Sequence, residues 1–401
     1  MIGRLEGHTG CVNTVMYSED GTFIITGSDD QSIKVFNSQT REEVTTYRTR
    51  HTNNIFWAKD KYGSGFQTLL SAAADGRVVI TEDFMGGRVA KEVHRHQGRA
   101  HRLDLIPSEP ELFYSCGEDG IANLFDLRLE TPLVSSCRLQ HPNSTSGRYR
   151  GNSVYCISSN PGNANQFSIS GLVTTAQIMD TRKMDEPLMW VGPKDMYMTR
   201  GIRAPSITGL KYNYNGTELL LSYNDEAIYT VDMRPEHVKG FYKRDEQCMT
   251  DDELNTLGNC YKCRFDGHRN NQTVKQVAYM GPRSEYIVSG SDCGHVFIWD
   301  AKTSELVRLM HGDGIGAINC LSTHPSVPQL ATSGLEDDAK LWEPRGPRRH
   351  CRGANGTKGE ELRGSNTVSN VLGRNERGRT RLSRSDDDDS DDDDEGIRIP
   401  A

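Results

Sequence analysis

The sequence lacks any apolar stretch long enough to cross a membrane. No run approaches the roughly eighteen residues that a membrane helix needs, and the N-terminal segment MIGRLEGHTG has no apolar core like that of a signal peptide. We therefore expect neither membrane insertion nor secretion. The ten cysteines are scattered without a framework, several of them inside predicted strands. We expect reduced thiols without disulfides, in a protein of the nucleus and cytoplasm.

The sequence also lacks a catalytic constellation. No nucleophile with a base, phosphate loop or carboxylate pair stands out, and the glycine-rich elements fall in turns. Cys260 and Cys263 have the spacing of half a zinc site, but the second pair is missing and only Cys248 is near. We expect no enzymatic activity, no cofactor and no metal site.

The formal charge of −8 hides two opposite segments near the C-terminus. Residues 345–384 hold eleven Lys and Arg against three Glu, and residues 385–401 hold nine acids against Arg398. These segments cancel, so the overall charge belongs to the rest of the chain. An acidic main body argues against general nucleic-acid binding.

Residues 344–401 have few apolar side chains, because an Arg-, Gly- and Ser-rich stretch is followed by SDDDDSDDDDEG. Such a segment cannot bury enough surface to offset its ordering entropy, so it is predicted to be disordered. Ser385 and Ser390 are each followed by four Asp, an acidic context favoured by casein-kinase-type enzymes. They are candidate phosphorylation sites, and a plain solubilising tail is the alternative.

A repeat of seven units accounts for residues 1–343. A typical unit has a polar turn, then alternating apolar residues, then an acidic or polar end, as in SGSDCGHVFIWD (289–300), and an acid occupies the turn in five of the seven units. The unit ends are Asn37, Glu82, Asp126, Asp180, Asp232, Asp300 and Glu343. Seven residues before them lie Asp30, Asp75, Asp119, Val173, Asp225, Cys293 and Glu336. The pattern predicts an all-β, seven-bladed WD-repeat propeller of four-stranded antiparallel sheets.

In WD repeats the turn Asp also contacts a His in the loop before the blade. The candidates His8, His51, His96 and His268 lie near unit starts, and a structural role is favoured for them over catalysis or metal binding. A propeller normally closes when one terminus supplies a strand to the other terminal blade. Only six residues precede Gly7, so we expect the last blade to be incomplete or weakly closed.

Three consecutive unit ends share an Asp-x-Arg box, with Arg two residues after the Asp. The boxes are Asp126-Leu127-Arg128, Asp180-Thr181-Arg182 and Asp232-Met233-Arg234. With Phe125 in front, the first box resembles that of WD-repeat substrate receptors of cullin-4 RING ubiquitin ligases. The runs GHTGCVNTV, DGTELLLSYNDEAIY, GHRNNQTVK, YIVSGSDCGHVFIWD and LATSGLEDDAKLWEP also resemble blades of the group around DDB1- and CUL4-associated factor 8.

The resemblance covers nearly all of residues 5–344 and implies a function. It implies that one rim docks on the DDB1 adaptor through Asp126, Arg128, Asp180, Arg182 and, with less weight, Arg234, while the opposite face selects a protein substrate. The competing interpretation is a non-ligase scaffold that binds a peptide or histone tail over the central channel. The periodicity alone implies neither function.

Overall fold

Seven four-stranded antiparallel sheets surround a central channel. This architecture is seen in a computed structural model that describes residues 1–84, 87–140, 153–198, 204–238 and 260–344. It confirms the predicted seven-bladed propeller. The segment beyond residue 344, with Ser385 and Ser390, lies outside the described residues, so its disorder and phosphorylation stay predictions.

The first strand of each blade contacts the first strands of the neighbouring blades, so these strands line the channel. They are β2 (Val12–Tyr17), β6 (Ile55–Asp60), β10 (Ala100–Leu105), β14 (Val154–Asn160), β18 (Ile207–Tyr212), β22 (Val277–Met280) and β26 (Ile318–Thr323). The second strands are β3 (Phe23–Ser28), β7 (Thr68–Ala73), β11 (Leu112–Gly117), β15 (Asn163–Gly171), β19 (Glu218–Tyr223), β23 (Tyr286–Ser289) and β27 (Leu330–Gly334).

The third and outer strands complete each sheet. The third strands are β4 (Ser32–Asn37), β8 (Arg77–Phe84), β12 (Ile121–Asp126), β16 (Ala176–Asp180), β20 (Ile228–Asp232), β24 (His295–Asp300) and β28 (Ala339–Trp342). The outer strands are β5 (Glu43–Arg48), β9 (Gly87–Arg95), β13 (Leu133–Arg138), β17 (Met189–Val191), β21 (Cys263–Phe265), β25 (Leu306–His311) and β1 (Gly3–Leu5). Five of the seven predicted unit ends are therefore the last residues of third strands.

The core lies between neighbouring blades, because successive residues of a strand face opposite sides of its sheet. On β11, Phe113 packs into the cluster with Trp57 of the second blade. The next residue, Tyr114, packs into the cluster of the fourth blade and stacks on Phe167 with ring centres 4.4 Å apart. This alternation explains why most blade strands are apolar on both faces.

The tight turns form where the sequence places them. Gly21 and Gly216, in the sequence pairs Asp20-Gly21 and Asn215-Gly216 that are typical of hairpin turns, have φ values of +77° and +74°. These values lie in the left-handed region that Gly adopts without a Cβ clash. Each turn joins the first and second strands of its blade.

The ring is closed by a short N-terminal strand. β1 pairs with β28 in the register Gly3 to Leu341 and Leu5 to Ala339, which gives the last blade its fourth strand. The expectation of an incomplete blade is wrong, because three residues are enough to complete the sheet. Leu5, 1% exposed, anchors the strand in the core between the last and first blades.

The fourth unit also folds as a blade, and a short helix follows it in the chain. The fourth unit, which lacks a turn acid, forms the sheet β14-β15-β16-β17, and Val173 in its turn is buried instead. The described part of the long fourth-to-fifth connection contains a short helix, α1 (Lys194–Met198). Among the described residues no helix has the length and apolar character of a membrane span.

Candidate functional site

The three Asp-x-Arg boxes lie on one edge of three consecutive blades. Asp126, Asp180 and Asp232 end the third strands β12, β16 and β20. They pair with residues early in the second strands, Leu112, Gln166 and Glu218 respectively. This shared register places all three boxes on the edge where third strands end and turn back into outer strands. We call these three boxes the box rim.

Each box folds onto itself in the same way, as the first shows. The backbone N–H of Arg128 donates to Asp126 Oδ1 at 3.0 Å, closing a turn. The Arg128 side chain then donates from Nε to Oδ1 at 2.8 Å and from Nη2 to Oδ2 at 2.7 Å. The box therefore holds its own guanidinium in a two-point fork.

The second and third boxes repeat this geometry. Arg182 donates to Asp180 from Nε at 3.0 Å and from Nη2 at 2.7 Å. Arg234 donates to Asp232 from both Nε, at 2.9 Å, and Nη2. The Nδ1 atom of His237 also lies 3.7 Å from this carboxylate. The third box is thus shared with a neighbouring side chain, whereas the first two are simple pairs.

The fork fixes the charge states of the box rim. Hydrogen bonds from Arg182 lower the pKa of Asp180 to about 2, and those from Arg128 and Arg234 lower the pKa values of Asp126 and Asp232. The arginine side chains remain 58%, 71% and 45% exposed in chain order. Each box therefore presents the outer edge of a fixed cation to solvent. Such exposed pairs add little to stability.

The blade ends Asn37 and Asp300 have no arginine two residues later and close their turns with backbone contacts. Asn37 and Asp300 use Oδ1 to accept two backbone N–H groups of the following turn, those of Gln39 and Thr40 and of Lys302 and Thr303. They close the same turn without a guanidinium two residues later. Among the described residues, the forked Asp-x-Arg geometry is therefore found on blades three, four and five.

Apolar side chains flank the first two boxes. Leu129 and Leu133, on the connection after Arg128, are 48% and 44% exposed, and Leu188, beside the second box, is 45% exposed. By contrast, Phe125 and Met179 before the boxes are fully buried, so they belong to the core. The motif did not predict the exposed leucines, because their place beside the boxes depends on how the outer strands return. The box rim therefore combines exposed arginines, a residue type enriched at protein interfaces, with exposed apolar area.

On the opposite edge, three of the four predicted histidines bind their turn acids. His8, His51 and His96 place Nδ1 2.8, 3.2 and 3.0 Å from carboxylate oxygens of Asp30, Asp75 and Asp119 respectively. Their Nε2 atoms contact hydroxyls of the second strand, as with His96 and Ser115 at 2.7 Å. Although burial acts in the other direction, hydrogen bonds from His51 and from backbone N–H groups lower the pKa of Asp75 to about 2. These contacts give the three histidines a structural role.

The sixth blade departs from the predicted alignment by one residue. The acid of its turn is Asp292, not Cys293, and Asp292 Oδ2 accepts the Asn271 N–H at 2.6 Å. The other oxygen of Asp292 accepts a hydrogen bond from Lys275, and both side chains are fully buried. His268 packs against the ring of Trp299 with ring centres 5.8 Å apart. A buried Lys–Asp pair therefore lies beside the turn of this blade.

The structure describes only part of the segment that holds Cys248, Cys260 and Cys263. Cys260 is buried and Cys263 begins β21, while Cys248 lies outside the described residues. Within the ranges that the structure describes, no group of three or more His, Cys, Asp or Glu side chains is placed to hold a metal ion. The eight cysteines of those ranges form no disulfide with one another.

Comparison with known proteins adds sequence relatives to this geometry. Residues 1–37 and 258–300 match the family model for the WD domain, G-beta repeat. The chain is 27% identical to DDB1- and CUL4-associated factor 6 of Homo sapiens and of Mus musculus over 244 residues, which are 57% of this chain and 27% of that protein. It is 46% identical over 86 residues to WD and tetratricopeptide repeats protein 1 of both species, covering 21% of this chain and 13% of that protein.

A plant relative has a sequence identity close to that of WD and tetratricopeptide repeats protein 1, over a segment of similar length. Protein ALTERED SEED GERMINATION 2 of Arabidopsis thaliana is 43% identical over 84 residues, which are 21% of this chain and 11% of that protein. The chain thus spans between 11% and 27% of the length of these curated relatives. Together with the fold, these matches describe a seven-bladed propeller with WD repeats that is similar to DDB1- and CUL4-associated factor 6.

Proposed function

We propose that this protein is the substrate-recognition subunit of a cullin-4 RING ubiquitin ligase and docks on the DDB1 adaptor through the box rim. The observation that carries the proposal is the repetition of one exposed, forked Asp-x-Arg geometry on three consecutive blades. The similarity to a protein named DDB1- and CUL4-associated factor 6 supports the choice of partner. The finer relationship, to the group around factor 8, stays a prediction.

The geometry suits docking because the arginines are already ordered. Fixing a long side chain at an interface usually costs about 0.5–1.5 kcal/mol, and the forks to Asp126 and Asp180 supply this order before any partner arrives. In each fork Nη1 and one N–H of Nη2 point away from the carboxylate and remain as donors. We assign the main contacts to Arg128 and Arg182, with Leu129 and Leu188 adding apolar area. Arg234 has a peripheral role, because it shares its Asp with His237.

The opposite face is left to bind the substrate in this proposal, and the protein itself acts without catalysis. We place it in the nucleus and cytoplasm, with a protein rather than a nucleic acid as its target. No step of the proposal requires a cofactor or a metal.

The alternative is a scaffold that binds a peptide or histone tail over the channel without any ligase. An aromatic array at the channel mouth opposite the box rim favours it. Phe56 stacks on His101 with ring centres 5.5 Å apart and planes 5° apart, and Tyr155 meets His101 edge-on at 5.0 Å. His101 Nε2 also lies 3.2 Å from Glu118, so a carboxylate borders these rings. Such a mouth could receive a cationic side chain.

Mixing the full chain with purified adaptor and cullin core tests the proposal. We expect a complex that elutes together on size exclusion. In hydrogen exchange, the adaptor should protect residues 126–133 and 180–189 of this chain, because they carry the first two boxes. Protection of the turn at residues 117–121, on the opposite edge, would place the adaptor on the wrong face. If no complex forms and a basic peptide binds instead, the scaffold alternative replaces the ligase.

A further inference from the structure

A cavity opens in the central channel at the end nearer the box rim. Its volume is about 380 Å³, which is within the range of small-molecule sites. It is lined by the last residues of innermost strands and by the loops that follow them, for example Lys59 on β6 and Asp104 on β10. Those loops lie on the edge where the third strands end. We call this space the channel cavity.

Cations dominate the lining of the channel cavity. Lys59, Arg102 and Lys211 line it with Asp104 as the only carboxylate among the described residues, so the formal charge of the lining is +2. The carboxylate of Asp104 is already engaged, because its Oδ2 accepts hydrogen bonds from the N–H and the hydroxyl of Ser159 at 2.5 and 2.6 Å. Its other oxygen lies 3.8 Å from Lys211 Nζ. One cation of the three is therefore partly compensated.

Among the described residues, no carboxylate directly binds either of the other two cations. In the ranges that the structure describes, the guanidinium of Arg102 and the ammonium of Lys59 make no hydrogen bond or ion pair with another side chain, and Lys59 lies over the Tyr62 ring at 5.0 Å. The carboxylates of Asp60, Asp104 and Glu19 act on Lys59 from a distance, and Asp60 and Glu19 line a separate pocket. Both cations are partly exposed, so they are available to a ligand that enters the cavity.

The electrostatics of the channel cavity favour an anion. Burial and the neighbouring charge of Lys211 lower the pKa of Lys59, whereas a bound anion would raise it again. A phosphate monoester carries about −1.5 to −2 near neutral pH, which matches the charge of the lining, while a carboxylate carries half of that. Arg binds phosphate oxygens through two parallel hydrogen bonds and Lys binds them as a point charge.

The remaining lining fits an organic group attached to the phosphate. Ser322 and Thr323 contribute hydroxyls, and Tyr62 and Tyr214 contribute rings, with Tyr214 55% exposed at the mouth. Hydroxyls can donate to phosphate oxygens, and the rings offer apolar faces. The lining therefore combines three cations with hydroxyls and aromatic rings.

We propose that the channel cavity binds a phosphate monoester, carried by a small molecule or by a phosphorylated serine side chain. Arg102 and Lys59 hold the phosphate oxygens, and Lys211 adds charge at the mouth. Binding is reversible and involves no covalent step. The proposal does not depend on adaptor docking, since these residues lie inside the ring and the box rim lies at its edge.

Titration calorimetry on the full chain without adaptor tests this site. The small probes are phenyl phosphate and O-phosphoserine. The protein source is represented by a peptide of residues 383–395 phosphorylated at Ser385 and Ser390, with its unphosphorylated form as a control. We expect the phosphorylated probes to bind and the unphosphorylated peptide to bind at least about tenfold more weakly, because charge-assisted hydrogen bonds contribute about 1.5–3 kcal/mol each. If the small probes bind the source is a small molecule, and if only the phosphopeptide binds the source is a protein.

Substitutions in the channel cavity assign the site. The pair Lys59→Met and Arg102→Gln should weaken binding at least about tenfold, and Arg102→Lys alone should keep part of it, because the charge remains. The matched control removes the exposed charges of Lys302 and Arg308, which do not line the cavity, and should leave the affinity within about twofold. Circular dichroism confirms that the variants are folded, and Arg102→Lys carries the test if the pair does not fold. The proposal is overturned if no phosphorylated probe binds, if both peptides bind equally, or if cavity and control variants behave alike.

Discussion

Replacing Lys275 with Met tests the buried ion pair of the sixth blade. The Lys275 ammonium donates to Asp292 Oδ1, to the Thr273 hydroxyl at 2.7 Å and to the Thr273 carbonyl at 3.2 Å, so all three of its donors are used. Both charged side chains are fully buried. Met keeps the length of the chain but leaves Asp292 as a buried charge that retains the N–H groups of Asn271 and Gln272.

The expected cost follows from leaving one charge of the pair behind. Breaking a buried pair in this way typically costs about 3–5 kcal/mol. With an unfolding entropy of about 2.1 cal/mol/K per residue, a ring of roughly 340 residues loses about 4–7 °C in melting temperature. Adding Asp292→Asn should recover part of the loss, because the charge is removed and the amide can donate to the oxygens of Thr273.

Calorimetric melting and guanidinium unfolding of the parent and the variants measure this cost. Lys302→Met serves as the matched control, since Lys302 is exposed, and it should shift the free energy of unfolding by less than about 0.5 kcal/mol. A loss below about 1 kcal/mol for Lys275→Met would refute the reasoning. So would a double variant that is less stable than Lys275→Met alone.

Three further predictions concern stability. Burial raises the pKa of Asp60 to about 6, and its Oδ1 has no partner among the described residues. The folded state therefore binds the proton of Asp60 more tightly than the unfolded state, so the free energy of unfolding falls as pH rises from about 4 through 6. Asp60→Asn should stabilise the ring by up to about 3 kcal/mol at pH 8 and by nearly nothing at pH 4. Parallel denaturant midpoints of the two proteins at all pH values would contradict this. Leu5→Ala should destabilise the ring by about 2–4 kcal/mol, because Leu5 is 1% exposed in the closing strand. Ile2 is half-buried just before this strand, so Ile2→Ala should cost clearly less, and thermal melts of both variants measure the difference. Removing residues 345–401 should leave the melting temperature nearly unchanged, since their composition offers no core, and a drop of many degrees would mean that they pack on the ring.

The repeat pattern predicts the fold well because it depends on residues close together in the sequence, within one blade. The alternation and the polar turn recur in most units, so ends such as Asp126 and Asp300 mark third strands directly from the sequence. The pattern fails where another contact replaces the usual one. In the sixth blade Lys275 takes over the pairing with the turn acid, and the acid shifts from Cys293 to Asp292. At the closing blade, pairing of β1 with β28 is a contact across the whole chain that no local pattern encodes.

The candidate sites differ in how far the sequence could predict them. The spacing of Arg128 from Asp126 is visible in the sequence, although the fork and the exposure of the guanidinium come only from the structure. The channel cavity has no signal in the sequence. Lys59, Arg102 and Lys211 come from three blades and meet only because the ring closes.

The affinity of this chain for purified DDB1 adaptor, measured by surface plasmon resonance, tests the central claim most directly. The comparison is between the parent, the double variant Arg128→Ala with Arg182→Ala, and the control Arg95→Ala, whose side chain is 52% exposed and makes the same kind of fork to Glu92 on the outer strand β9. A central interface Arg contributes about 2 kcal/mol or more, roughly thirtyfold in affinity. The account predicts a loss of at least about thirtyfold for the double variant, with its fold and melting temperature kept, and no loss for Arg95→Ala. Equal affinity of the folded double variant and the parent would contradict docking through the box rim.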